Sequence, residues 1–232
     1  MAMQPALTLI DAIAEGATNI GLAAPDDALR AQAALVRSLV DEVGRRHPSE
    51  RQVAALHAQL GEELSRLAEL VPGWSTRAGP GAAGGPIDVL IVEDDEPTLR
   101  AAAIVVRDLG YPCRTANSAE AALLEYKRRP AAIVITDLSM PGMSGLDLCR
   151  TLKDRDPHAY VILVTAFHDD ARLLEGVRRS VDDFLPKPID IEALADRLRA
   201  GERLVRGVRM VENVKGRLGV CSNRTVSDAG QA

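Results

Sequence analysis
Residues 133–145 read IVITDLSMPGMSG, and the run Ala131–Thr136 that feeds into them holds Ala, Ile, Val and Thr before it meets an acid, Asp137. The core of this run (133–136) is apolar at almost every position, with no polar alternation. Two other stretches share the character, VLIV at 89–92 and VILV at 161–164. Strands that are apolar on both faces belong to a parallel sheet covered by helices on each side.

Working outward, short apolar runs alternate with helical patterns. The expected order is Ile87–Val92, helix 96–109, Pro112–Ala116, helix 118–129, Ala131–Thr136, helix 145–155, Tyr160–Thr165, helix 169–179, Val181–Leu185 and helix 190–206. Five β-α units over residues 87–206 predict a doubly wound α/β domain with a five-stranded parallel sheet.

Upstream, residues 73–86 (GWSTRAGPGAAGGP) contain five glycines and two prolines and read as a flexible linker. Residues 1–72 read as a small all-α segment. Leu7, Ile10, Ile13, Ala17 and Ile20 recur at helical spacing, and Pro25-Asp26-Asp27 marks a second start. Leu29, Val36, Leu39, Val40 and Val43 make the second stripe. Ser49 with Gln52 forms a capping box for a third helix, striped by Val53, Leu56, Leu60, Leu64, Leu67 and Val71. Helical segments below ~70–80 residues hold little core of their own, so these helices are expected to pair with a second copy as a homodimer. Downstream, residues 207–232 lose the pattern and are expected to form a flexible tail.

The formal net charge of −5 argues against nucleic acid as a direct partner of the whole chain. Cys113, Cys149 and Cys221 are far apart and odd in number, which is no disulfide framework and suits a reducing, cytoplasmic setting. Asp11 and Glu15 interrupt the only apolar stretch near the N-terminus, so no signal peptide is expected, and no run approaches the ~18 apolar residues of a membrane span.

In doubly wound sheets, ligands bind beyond the carboxyl ends of the strands. The first strand delivers Glu93-Asp94-Asp95 there, the third Asp137, the fourth Thr165, and the fifth Lys187 just beyond its end. Clustered carboxylates repel one another unless a cation sits among them. Oxygen ligands in this number suit Mg²⁺. A carboxylate so neutralised is a competent nucleophile toward phosphorus. The charge on a transferred phosphoryl group calls for a metal, a fixed cation and a hydroxyl donor, the roles of Mg²⁺, Lys187 and Thr165.

At these residues the chain resembles the response-regulator receiver family, through VLIVEDDEP (89–97), IVITDLSMPGMSG (133–145), VILVTAF (161–167) and DDFLPKPI (182–189). The resemblance implies a flavodoxin-like fold, with Asp137 as the phosphorylation site and Mg²⁺ held by Asp94, by Glu93 through water, by Asp137 and by the Ser139 carbonyl. Thr165 and Lys187 would contact the phosphoryl oxygens, Ala166 would leave the approach open, Thr165 and Phe184 would form the switch, and Lys187–Pro188 would be cis. Three acids follow Val92, so the acidic pair is Glu93-Asp94 or, one residue on, Asp94-Asp95; helix length favours the first.

The resemblance implies a response regulator of a two-component phosphorelay, not an enzyme in ordinary usage. It would be phosphorylated by a histidine kinase or phosphotransfer protein and would signal to a downstream protein without a DNA-binding output domain. Two alternatives stand beside it. SERQVAALHAQLGEEL (49–64) is similar to the phospho-accepting helix of one histidine-kinase class, with His57 at the acceptor position but Ala58 in place of the activating acid. Such a chain would relay phosphate between His57 and Asp137. The other alternative is a scaffold whose receiver is never phosphorylated. ADRLRAGERLVRG (195–207) also resembles the exit helix of receivers that feed cyclases or phosphatases, although no such output domain is read after it.

Overall fold
The computed structural model of the chain describes residues 9–45, 59–60, 62–64, 66–67, 69–70, 86–166 and 181–218. Helices α1 (Leu9–Ala23) and α2 (Asp27–Arg45) come first. After them come β1 (Val89–Val92), α3 (Glu96–Asp108), β2 (Cys113–Ala116), α4 (Ala119–Arg128), β3 (Ile133–Asp137), α5 (Gly145–Arg155), β4 (Tyr160–Thr165), β5 (Asp183–Pro186) and α6 (Ile191–Arg217). The described residues between 59 and 69 are helical as well. Residues 73–85 of the linker, the region of helix 169–179, His57 and residues 219–232 lie outside the described residues.

All five strands pair in parallel, in the order β2-β1-β3-β4-β5. Apolar character on both faces now has its cause. Side chains alternate along a strand, so Val89, Ile91, Ile133, Ile135, Ile162 and Val164 enter the core beneath α3 and α6. Their neighbours Leu90, Val92, Val134, Val161 and Leu163 enter the core beneath α4 and α5. The chain steps from β1 outward to β2 and then back across to β3. That reversal opens a crevice beyond the ends of β1 and β3.

Among the described residues, each helix beside the sheet starts on a side-chain cap that satisfies an otherwise orphaned N–H. Asp95 accepts from Thr98 N, Ser118 from Ala121 N, Ser144 from Asp147 N, and Asp190 from Ala193 N. In α2, Asp26 accepts from Leu29 N at 2.8 Å.

The last helix corrects the sequence reading. Its end was expected near 206, with 207–232 a flexible tail, but α6 runs 27 residues to Arg217, about 40 Å at 1.5 Å per residue. Its distal half is ordered by burial: Leu204, Val205, Val208, Val211 and Val214 join the same core as Ile13, Ala17, Ile20, Leu29, Val36, Leu60, Leu64 and Leu67. The described members of the stripes that the sequence offered to a second copy are thus buried within one chain, with α6 supplying a wall. Backbones approach closely there. A Cβ added to Gly16 would lie 1.9 Å from Val211 Cγ1, and one on Gly207 would lie 2.7 Å from Leu64 Cδ1.

A prediction follows from that spacing. Val211 is β-branched and buried, so it cannot turn aside for a new methyl. Gly16→Ala is expected to destabilise the chain by about 1–3 kcal/mol, the usual cost of overpacking. It should also speed amide exchange along Val208–Val214. Unchanged exchange there would mean that α1 and α6 do not pack in solution.

Candidate functional site
The crevice gathers side chains from three strand ends. Glu93 and Asp94 follow β1, Asp137 is the last residue of β3, and Lys187 comes directly after β5. Carboxylate oxygens of Glu93, Asp94 and Asp137 lie within 4.8 Å of one another. Glu93 and Asp137 are buried, whereas Asp94 faces solvent. Lys187 Nζ bridges the two buried acids, 2.9 Å from Glu93 Oε2 and 3.1 Å from Asp137 Oδ2. Partial burial of the ammonium pulls its pKa down, but hydrogen bonds to Glu93 and Asp137 outweigh this and hold it above the ordinary lysine value.

The third acid of the triplet has another task. Asp95 Oδ2 accepts from Thr98 N at 3.0 Å and from Thr98 Oγ1 at 2.6 Å, which caps α3. Those bonds hold its carboxyl below the usual aspartate range. Capping turns Asp95 toward its own helix and away from the cluster, so the three clustered acids are Glu93, Asp94 and Asp137.

Backbone contacts fix the acceptor loop. Leu138 N donates to Val164 O at 2.9 Å and Gly145 N to Leu138 O at 3.0 Å. Gly145 permits the turn because a Cβ there would sit 1.8 Å from the Asp137 carbonyl oxygen. Thr165, the last residue of β4, is buried, and its carbonyl accepts the Lys187 N–H at 2.9 Å. Ala166 is exposed beside it, as is Ser139 after Asp137. Phe184 is half-buried in β5 and packs against the core on the α4/α5 side. The Lys187–Pro188 peptide is cis.

Two features escaped sequence reading. At the opposite, amino-terminal edge of the sheet, Lys153 Nζ lies 2.5 Å from Asp182 Oδ2, with both side chains almost fully buried. Lys153 also donates to Ala159 O at 2.7 Å, and Asp182 accepts from Val161 N at 2.7 Å. Burial pushes the Asp182 carboxyl up, against the pull of Lys153 and the Val161 amide. Beside the site, Glu120 on α4 accepts the Met143 N–H at 3.0 Å. The double acid Asp182-Asp183 was visible in the sequence, but nothing in it marks which lysine answers it.

The family model described as the response regulator receiver domain matches residues 89–199. The chain carries a response regulator receiver domain. Across this domain it is 38% identical over 112 residues to the sensory transduction protein RegX3 of Mycobacterium tuberculosis, a match covering 48% of this chain and 49% of that one. It is 38% identical over 108 residues to the response regulator protein FleR of Pseudomonas aeruginosa, covering 47% of this chain and 23% of that one. A solved receiver domain protein from Clostridium thermocellum is 26% identical, with a TM-score of 0.46, covering 50% of this chain and 94% of that one. The chain thus spans about half the length of RegX3, and less of FleR. Receiver domains bind Mg²⁺ at an acidic pocket, and the all-oxygen set Glu93, Asp94 and Asp137 fits that ion. Among the described residues, no helix is long and apolar enough to cross a membrane.

Proposed function
We propose that the chain is a response regulator whose receiver domain is phosphorylated on Asp137 by a histidine kinase or phosphotransfer protein. The observation that carries this reading is Lys187 Nζ reaching both Asp137 and Glu93 across the crevice, 3.1 and 2.9 Å away. A carboxylate so placed is buried beside a fixed cation, with Asp94 at the solvent side of the cluster.

Asp137 Oδ attacks the phosphorus of a phospho-imidazole. A P–O bond forms, the P–N bond breaks, and the leaving nitrogen keeps the electron pair while its ring takes a proton from solvent. Asp94, Asp137, the Ser139 carbonyl and, through water, Glu93 would hold a Mg²⁺ ion, which would supply charge neutralisation for the incoming phosphoryl oxygens. Lys187 pairs with one of those oxygens, and the Thr165 hydroxyl donates to another. Exposed Ala166 leaves the approach open.

Phosphorylation adds roughly −1.5 to −2 charges. As Thr165 moves to meet them, Phe184 takes up the space it vacates, and the β5–α6 surface changes for a downstream protein. The proposed readout is through protein contacts. A cytoplasmic location is supported by three widely spaced cysteines with no disulfide framework.

Incubation with acetyl phosphate and Mg²⁺ is expected to add one phosphoryl group to the intact mass, and a chelator is expected to prevent it. A mass that stays constant with Mg²⁺ present would leave the receiver as a scaffold.

A further inference from the structure
The loop that follows Asp137 is fastened at its base by backbone bonds, but its tip is held from a different element. Glu120, in the first turn of α4, accepts the Met143 N–H through Oε1 at 3.0 Å. The same oxygen lies 2.9 Å from where a Cβ on Gly142 would stand. Gly142 has φ +80°, a left-handed conformation that glycine adopts freely. The absence of a side chain there also leaves room for the carboxylate.

An acid in the first turn of a helix ordinarily serves that helix. Here α4 is already capped by Ser118 Oγ, which accepts from Ala121 N at 3.1 Å. Glu120 reaches across 23 residues of sequence instead. It is exposed, and hydrogen bonds from its own N–H and from the Met143 N–H hold its carboxyl below the usual glutamate range. The group is therefore an anion whenever the site operates.

We propose that Glu120 is a positioning residue for the acceptor loop: its carboxylate clasps the Met143 amide over Gly142 and holds residues 139–143 in the shape the acidic cluster needs. The inference rests on reading Asp137 as the phosphoryl acceptor, with the Ser139 carbonyl among the Mg²⁺ ligands. Residues 139–142 lie between the base pinned at Leu138–Gly145 and the tip pinned at Met143. Without the clasp, the loop must be ordered when the ion binds, and that ordering weakens binding.

The test compares the 232-residue chain with its Glu120→Ala and Glu120→Gln variants. It uses Mg²⁺ titration by calorimetry, amide exchange of Met143 in metal-free protein, and thermal unfolding. In Glu120→Ala the Met143 amide is expected to exchange faster, and the Mg²⁺ Kd to rise about tenfold, the low end for partners behind the ligands because Glu120 is solvated. Unfolding should barely move. Glu120→Gln keeps a carbonyl acceptor and is expected to restore most of the affinity. Equal Mg²⁺ affinity in wild type and Glu120→Ala would overturn the inference alone. Equal loss in both variants would also overturn it, because charge and not the hydrogen bond would then be responsible. No Mg²⁺ uptake by the wild-type chain would overturn the acceptor reading and this inference with it.

Discussion
Asp137→Asn is expected to abolish phosphoryl uptake from acetyl phosphate entirely while the chain stays folded. The amide has nearly the shape of the carboxylate but cannot attack phosphorus as an anion. Three carboxylates share a 4.8 Å cluster, and one ammonium bridges two of them. Removing one negative charge relieves like-charge repulsion, and Lys187 keeps Glu93 as its partner at 2.9 Å. In metal-free buffer the variant is therefore expected to melt at or slightly above the wild-type temperature, and to bind Mg²⁺ more weakly. Intact mass and circular dichroism read both effects. Asp95→Asn is the matched control: Asp95 caps α3, and asparagine also caps well, so phosphoryl uptake should persist. Uptake that survived in Asp137→Asn would place the acceptor elsewhere.

The second large effect is on stability. Lys153→Ala leaves the Asp182 carboxylate buried, with the Val161 amide as the partner named above. Breaking a buried pair from one side costs about 3–5 kcal/mol, much of the ~5–15 kcal/mol that holds a typical domain folded. The variant can escape partly by protonating Asp182, whose carboxyl burial already pushes up. A folded-state pKa above the unfolded value means that the protonated group stabilises the fold at low pH. That contribution fades as pH rises through the folded pKa. The deficit relative to wild type should therefore be small in acid and widen as pH climbs above the unfolded aspartate value of about 3.9. Removing both charges, as in Lys153→Met with Asp182→Asn, should recover most of the loss, since a buried pair is often replaceable by neutral groups. Denaturant titrations across pH provide the measurement. A loss below about 1 kcal/mol at neutral pH, the worth of a surface pair, would show that the burial is not maintained in solution.

Lys153 and Asp182 also show what sequence reading misses. The apolar runs at 89–92, 133–136 and 161–164 announced a parallel sheet because both faces of each strand had to be covered. Strand ends in a doubly wound sheet meet at one edge, so the grouping of Glu93, Asp94, Asp137 and Lys187 could be expected without coordinates. A lysine in the middle of α5 carries no such mark. Glu120 is similarly silent, being one acid among several in a helix until the loop from β3 folds over it.

The α6 helix was misread for a further reason. Gly201, Gly207 and Gly216 interrupt it, and each lowers helix propensity by about 1 kcal/mol relative to alanine. Local preference therefore argued for a fraying end. Burial overrode it, because glycine at 207 lets Leu64 and Ile13 come close.

Periodicity and residue type along the chain were enough to specify the α/β class, the order of the described elements, the N-terminal helices and the acids that gather at the sheet edge. These are properties of short segments and of the direction a strand must run. Which two of three consecutive acids join the cluster, what covers the stripes of α1 and α2, and which distant side chains pin the acceptor loop were settled only in three dimensions. Periodicity records that a face must be buried, or that an acid stands at a helix start. It holds no record of the partner that arrives from elsewhere in the chain.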